Sequence, residues 1–209
     1  MGIFAWCPED MTGISRDIAE HELKIPPNVK PIFQQKRSLS PNRSLAACKE
    51  VEGLVQAGIL QEVKYHSWIA NPVIVKKPDG SWRMCINFKD LNKACPKDCY
   101  HLPEIDLKVD SLIGFPFKCF LDAYKGYHQI QMKKDDEEKT AFHTDKGIFC
   151  YQKIPFDFKN AGATYQRLVD KAFTGQIGKN MEAYMDDLVI KSKTEGQMLD
   201  DIQETFWNL

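Results

Sequence analysis

Tyr184-Met185-Asp186-Asp187 puts two adjacent carboxylates inside an apolar frame, with Ala183 before them and Leu188, Val189 and Ile190 after. Like charges side by side disfavour each other's ionisation, so a fold gains nothing from the pair unless a cation or solvent offsets the charge. At the turn of a tight hairpin the two acids become a cradle for a hard divalent metal. Magnesium takes oxygen ligands and usually sits between one or two carboxylates and substrate phosphates. Aspartate is also an ordinary turn residue, so a solvated turn is the competing reading of these acids taken alone.

The 209 residues suffice for one good core and a second lobe. A formal net charge of -1 gives no global signature of nucleic-acid binding, so any such binding must come from local patches. The cysteines (7, 48, 85, 95, 99, 119 and 150) are odd in number and scattered, which argues against a disulfide framework. Cys95 and Cys99 have a CxxxC spacing without a second ligand pair, so buried thiols are expected rather than a zinc site. No apolar run reaches the length of a membrane span, about 18 residues. Met1-Gly2 fits a myristoylation start, but Trp6 stands where Ser or Thr is required. The expectation is a soluble intracellular chain with no membrane partner.

Residues 1–40 are rich in proline and polar groups and read as an extended arm or linker, followed by a folded core over 41–209. Ser40 and Pro41 predict the start of a helix whose apolar stripe is Leu45, Cys48, Val51 and Val55, with Gly58 closing its end. A hairpin follows: Pro72–Val75, the turn Lys77-Pro78-Asp79-Gly80, and a return strand from Trp82 to Phe88. A second hairpin joins Thr140–His143 to Ile148–Ile154, and Lys118–Ala123 reads as a strand with Asp122 at its end. Helices are predicted near Asn160–Phe173 and, from the capping box Thr194 to Gln197, onward to the last residue. This mixed order predicts an α+β fold, an antiparallel sheet backed by helices.

A two-metal phosphoryl-transfer site needs a third carboxylate beside the first two, its ions about 3.5–4 Å apart. Asp122 is the candidate, with a strand-end cap as its competing reading. Basic groups must meet a triphosphate. Lys76, Lys77, Arg83, Lys89, Lys93 and Lys97, set against Asp79, Asp90 and Asp98, leave an excess of three positive charges on the first hairpin and its exit. Lys76 or Lys77 could reach a phosphate together with Arg83; a solvated hairpin face is the alternative.

Taken together, the motifs resemble the reverse transcriptase of gypsy-type long-terminal-repeat retrotransposons of the plant kind. Trp82-Arg83-Met84-Cys85-Ile86-Asn87-Phe88-Lys89-Asp90-Leu91-Asn92-Lys93 is similar to the family's fingers motif. Phe120-Leu121-Asp122-Ala123-Tyr124 with Gly126-Tyr127-His128-Gln129-Ile130 resembles motif A, Lys159–Gln166 motif B, and Tyr184–Asp187 motif C, in the family's order. Trp6-Cys7-Pro8 resembles the segment joining protease to polymerase. The resemblance implies a right-hand polymerase core of fingers and palm without a thumb. Asp122 and Asp186 would be the main metal ligands, with Asp187 completing the triad and the Ala123 carbonyl facing the metal, magnesium or manganese. Lys76 or Lys77 and Arg83 would hold the nucleotide phosphates, and Tyr127 would test the sugar for a 2′-hydroxyl. Phe156 and Asp157 would lie beside the nucleotide, and Tyr184, Met185 and Gln166 beside primer and template. The implied partners are a template-primer of RNA or DNA and a dNTP, with thumb and RNase H portions or a second chain completing the assembly. The implied location is the cytoplasm, virus-like particles or the nucleus.

Three features depart from the family pattern. Phe156-Asp157-Phe158 stands where Phe-Gly-Leu is usual, and glycine there lets the backbone turn close to its ligands. Asn87 replaces a common acid. The sequence stops in the helix after motif C, ahead of the family's primer grip, thumb, RNase H domain and integrase. Weak or absent processive synthesis is therefore expected of this chain alone, because fewer phosphates are held. A transposon-derived relic that binds nucleic acid or a protein without catalysis is the alternative, and an unrelated carboxylate nuclease would require the ordered motifs to coincide.

Overall fold

The apolar and polar alternation resolves, in a computed structural model describing residues 4–7, 10–11 and 13–208, into short strands and helices. In chain order they are β1 (Glu20–His21), α1 (Pro41–Gln56), β2 (Leu60–Glu62), β3 (Pro72–Lys76), β4 (Trp82–Ile86), α2 (Lys89–Ala94), α3 (Ile105–Asp110) and β5 (Phe117–Asp122). There follow β6 (Gln131–Met132), α4 (Lys134–Glu137), β7 (Phe142–His143), β8 (Ile148–Tyr151), α5 (Ala161–Ala172), β9 (Met181–Tyr184), β10 (Asp187–Ser192) and α6 (Glu195–Trp207). Met1-Gly2, Pro8 and Leu209, on which the myristoylation, leader and terminal-helix readings partly rested, lie outside the described residues.

The chain divides into two compact units, one of residues 1–12, 98–126 and 162–209 and one of residues 13–97 and 127–161. The first is built on an antiparallel sheet of order β5-β10-β9. Leu188, Ile190, Ala183 and Met181 alternate onto one buried face of that sheet, and α6 packs on β10 and β5. The α6 start is the predicted one: the Thr194 hydroxyl accepts the Gln197 N–H at 3.3 Å. Its buried side carries polar anchors as well. Ser192 on β10 donates to Asp201, and Asn180 donates to the other oxygen of that carboxylate at 2.7 Å.

The opposite face of the sheet holds a buried ion triad. Glu182 accepts from Lys191 at 2.6 Å and from Lys108 of α3 at 2.7 Å, while Lys191 also donates to the Ser111 carbonyl at 3.0 Å. The Lys191 ammonium lies 5.1 Å from the centre of the Phe115 ring. These bonds hang α3 and the turn after it from β9 and β10.

In the second unit β2, β8 and β7 form an antiparallel sheet, β3 and β4 a hairpin, and β1 pairs in parallel with β6. Residues 13–40, expected as an arm, pack into this unit. His21 and Leu23 are buried, the Leu23 N–H donates to buried Asp136 at 2.9 Å, and Arg16 reaches buried Glu137 at 2.8 Å. The α1 prediction needs two corrections. Its buried residues are Ala47, Val51 and Leu54, whereas Leu45 is 73% and Val55 39% exposed, so the buried stripe runs through 47, 51 and 54. Ser40 occupies the N-cap position but its side chain makes no capping bond. The C-terminal prediction matches. Gly58 has φ +64°, its N–H bonds the Val55 carbonyl at 3.0 Å, and the Ile59 N–H bonds the Leu54 carbonyl at 2.9 Å. That double closure requires a residue that tolerates positive φ. No disulfide joins the cysteines; Cys95 is buried as expected, but Cys99, expected to be buried with it, is exposed.

The Glu182 triad gives a pH-dependent prediction. Burial pushes the Glu182 carboxyl up, but hydrogen bonds from Lys108, Lys191 and Ser111 outweigh it and hold it below its ordinary value of 4.5. A carboxyl depressed in the folded state adds stability above its unfolded pKa and loses it as pH falls through the folded one. Glu182→Gln leaves Lys191 buried and uncompensated and should cost about 3 kcal/mol at neutral pH. Thermal melts of both proteins should converge as the pH falls below 4.5; a gap that stays constant to acid pH would contradict the triad's role.

Candidate active site

Antiparallel pairing places Asp122, the last residue of β5, directly opposite Asp187, the first residue of β10, which in turn faces Tyr184 of β9. Opposed residues in an antiparallel ladder project from the same face with Cβ atoms about 4.5–5.5 Å apart. Two acids 65 positions apart in sequence thus stand side by side, with Tyr184 third in the row. Asp186 belongs to the two-residue turn between β9 and β10, and its carbonyl accepts the Ala123 N–H at 3.0 Å. That bond ties the turn to the end of β5.

Asp122 and Asp187 are exposed and Asp186 is partly so. Among the described residues none of the three carboxylates has a hydrogen-bond donor or a cation beside it. Nor do any three His, Cys, Asp or Glu side chains among the described residues, these acids included, converge where they could hold a metal ion together. Asp122 and Asp187 form an open pair of hard oxygen donors, with Asp186 in the adjoining turn. That suits an ion whose remaining positions are filled by water and phosphate oxygens better than one enclosed by protein. The Ala123 carbonyl, a further candidate donor, accepts the Gly126 N–H at 3.1 Å and keeps a second lone pair.

The turn itself is strained and braced. Met185 has φ +52°, as the first central residue of the favoured two-residue hairpin turns requires, although it is not glycine. Its N–H donates at 2.7 Å to the side-chain carbonyl of Gln166 on α5. Gln166 is wholly buried. Expected beside primer and template, it instead holds the turn from beneath and presents no surface to a template. Only its other bond had a local signal: Gln166 and Asp170 are one helical turn apart, the spacing at which such side chains bond, and they meet at 2.9 Å.

Gly126 follows Asp122 by four residues, and a Cβ there would lie 2.8 Å from the Tyr165 hydroxyl. The close approach of the α5 ring to this backbone explains the glycine in sterics, without appeal to a turn.

In the second unit the β3–β4 register pairs Val75 with Arg83 and Lys76 with Trp82. Strand alternation then puts Lys76 and Arg83 on opposite faces of the hairpin. Lys76 lies over the Trp82 ring, 5.9 Å from its centre. Lys77 opens the turn, its N–H on the Ser81 carbonyl at 2.8 Å, and has the parity of Arg83. Of the two lysines that the sequence left open, Lys77 shares the parity of Arg83 and Lys76 does not.

Tyr127 meets Phe156 edge to face at 5.8 Å, and His128 packs on the same ring at 4.8 Å. Asp157 has φ +62° and Asn160 φ +67°. The left-handed backbone that glycine usually supplies is therefore retained at Asp157. Asn92 of α2, quoted only as part of a motif, holds this loop. Its amide donates to the Asp157 carbonyl at 2.9 Å and accepts the Lys159 N–H at 2.8 Å. Asn87, which replaces a common acid, accepts the Lys89 N–H at 3.4 Å and so sits at the entry to α2.

Asp122 and Asp187 stand side by side at the end of a three-stranded antiparallel sheet, next to the braced β9–β10 turn that carries Asp186. Residues 75–209 match the family model described as reverse transcriptase (RNA-dependent DNA polymerase), and the chain belongs to that family. It is similar to the reverse transcriptase portion of retrotransposon polyproteins. It is 34% identical over 167 residues to the retrovirus-related Pol polyprotein from transposon opus of Drosophila melanogaster, covering 78% of this chain and 17% of that protein. It is 30% identical over 172 residues to the transposon Tf2-3 polyprotein of Schizosaccharomyces pombe, covering 82% of this chain and 13% of that one. The chain thus spans less than a fifth of these relatives. In structure it resembles the native prototype foamy virus protease-reverse transcriptase, with a TM-score of 0.78 and 20% identity over 91% of this chain and 25% of that one. The foamy viral enzyme in complex with RNA/DNA hybrid gives 0.78 and 21% over 92% and 26%. These likenesses show the fingers-and-palm fold that the sequence predicts.

Four substitutions test the local geometry. Asp157→Gly should leave thermal stability unchanged or raised, while Asp157→Val, with a β-branched side chain at positive φ, should cost about 1–3 kcal/mol. Gly126→Ala should destabilise by a similar amount, roughly 1–3 kcal/mol, through overpacking against Tyr165, and Tyr165→Phe should not rescue it, because ring carbons lie at 2.9 Å as well. Chemical denaturation would measure all four, and a neutral Gly126→Ala would contradict the packing.

Proposed function

We propose that the chain is the fingers and palm portion of an RNA-directed DNA polymerase from a gypsy-type long-terminal-repeat element of the plant kind. In this reading it adds a deoxynucleotide to a primer 3′-hydroxyl on an RNA or DNA template. The observation that carries the proposal is the β5–β10 register, which sets Asp122 against Asp187 at the end of the sheet with Asp186 in the adjoining turn. Family membership and the polyprotein relatives supply its context. The related foamy viral enzyme is described in complex with RNA/DNA hybrid and with double-stranded DNA, which supports a template-primer as the partner of this chain.

Asp122 and Asp186 would hold the divalent ions, magnesium or manganese, with Asp187 and the Ala123 carbonyl as further oxygen donors. When bound, the ions would neutralise charge on the attacking and leaving oxygens. The residues of the chain then do the positioning. The open row leaves coordination positions for phosphate oxygens, and the Gln166 bond and the Ala123–Asp186 bond keep the acids from drifting as substrate arrives. Lys77 and Arg83 would pair with the nucleotide's phosphates, Arg83 through its planar fork and Lys77 as a point charge. Tyr127, propped edge-on by Phe156, would lie under the sugar and disfavour a 2′-hydroxyl. Tyr184, in the row with the two acids, and Met185 in the turn would line the primer end. The protein would work in the cytoplasm, in virus-like particles or in the nucleus, and further polypeptide such as a thumb would lengthen its hold on the duplex.

Single-nucleotide addition to a DNA primer on an RNA template, with Mg²⁺ or Mn²⁺, tests this. Extension should vanish in Asp186→Asn. Lys77→Ala should raise the KM for dNTP about tenfold, the loss of one charge-assisted contact, and Lys76→Ala by much less. No extension from a folded chain in either metal would favour the relic that only binds nucleic acid or a protein. Equal effects of the two lysines would overturn the assignment made from register.

A further inference from the structure

Beneath the turn that carries Asp186, a line of side-chain hydrogen bonds runs away from the acids. The Met185 N–H donates to Gln166, the Gln166 amide NH₂ donates to one oxygen of Asp170 at 2.9 Å, and the Tyr100 hydroxyl donates to the other. Tyr100 is itself fixed. The Arg167 guanidinium lies 4.6 Å from the centre of its ring and one of its nitrogens reaches both oxygens of Asp98 at 2.8 and 2.7 Å, while the Tyr100 N–H bonds Asp98 at 2.9 Å. All of these residues belong to the unit that carries the acids.

The direction of this line is set by chemistry. A side-chain amide has a donor end and an acceptor end, and a carboxylate only accepts. Asp170 therefore draws the NH₂ end of Gln166 and leaves its carbonyl for the Met185 N–H. Were the amide to turn over, NH₂ would face N–H in a wholly buried place, an arrangement costing the unmade bonds of both groups. Gln166 lacks any other side chain that could select its orientation among the bonds described.

We propose that Asp170 and Tyr100 are positioning residues for the catalytic turn: they fix the Gln166 amide, and through it the backbone of Met185 and the place of Asp186. This deepens the polymerase reading and rests on it for the consequence, since the turn matters to catalysis only if Asp186 holds a metal. The geometry of the turn can be read without metal or nucleotide.

The test uses the isosteric change Asp170→Asn. Tyr100 continues to donate to the new amide's carbonyl, so its NH₂ faces Gln166 and draws the wrong end of that amide. Gln166→Glu on its own sets two carboxylates against each other. Gln166→Glu together with Asp170→Asn restores a donor facing an acceptor at each step, because the introduced carboxylate accepts both from the introduced amide and from the Met185 N–H. The double variant also leaves net charge unchanged. Hydrogen exchange of the Met185 amide, followed by NMR on the ¹⁵N-labelled chain and normalised to amides of the β9–β10 ladder, reports the bond itself. Asp170→Asn should speed this exchange about tenfold, and the double variant should return it to within about threefold of the wild type. Tyr100→Phe, which removes one donor without removing a charge, should give a smaller increase and covers the case in which Asp170→Asn does not fold. Unchanged relative exchange in Asp170→Asn, or a double variant no slower than the single one, would overturn the proposal. If Asp170→Asn does not fold, unchanged exchange in Tyr100→Phe would do so. Because exchange is measured on the unliganded chain, failure of primer extension would count against the polymerase reading and leave this one standing.

Discussion

The ladder between β5 and β10 is the interaction on which the site depends. Its six paired positions run from Ser192 opposite Phe117 to Asp187 opposite Asp122, and the acids are the last rung. A slip of one residue would send Asp187 to the opposite side of the sheet and bring Leu188 into its place. The apolar residues Leu188 and Ile190 resist such a slip because they are buried on the other face. The same alternation that makes the sheet's core therefore exposes the carboxylates. Placing two acids opposite each other is unfavourable in itself, and the fold tolerates it at an end of the sheet where water and cations can enter.

Around that rung the unit is stiff where it matters. The Glu182 triad fixes the far end of the sheet, Asp201 holds α6, and Gln166 holds the turn. Each is a buried polar group with its partners in place, which favours one arrangement over its competitors. The turn also carries backbone strain at Met185, as does the loop at Asp157. Strain concentrated at such places is sustained by neighbours that over-determine the geometry, here Gln166 for one and Asn92 for the other.

Much of this was legible in the sequence. The β5 strand, both hairpins, the cap at Thr194 and the glycine closure at Gly58 follow from periodicity and turn chemistry, which are local, whereas the short β1, β2 and β6 carried no such signal. The candidate acids were legible as well, because carboxylates in an apolar frame are rare enough to stand out. Three things were hidden for physical reasons. The buried face of α1 depends on what packs against it, so Leu45 read as core when Ala47 and Leu54 were. The choice between Lys76 and Lys77 depends on strand register, which a run of two lysines does not encode. The role of Gln166 depends on a partner 19 positions away, and a glutamine in a helix otherwise reads as solvent-facing. Asn92, Asp170 and Tyr100 escaped notice for the same reason: their work is to hold other groups.

In the proposed mechanism Asp122 and Asp186 would hold a divalent cation together. The most direct measurement is Mn²⁺ binding to the whole chain by electron paramagnetic resonance, compared with Asp122→Asn and Asp186→Asn and with Glu182→Gln as a control remote from the row. Binding should weaken in both aspartate variants, each by a similar factor, and stay unaltered in folded Glu182→Gln. Binding that survives in either aspartate variant at the wild-type level, or that falls equally in all three, would contradict that mechanism.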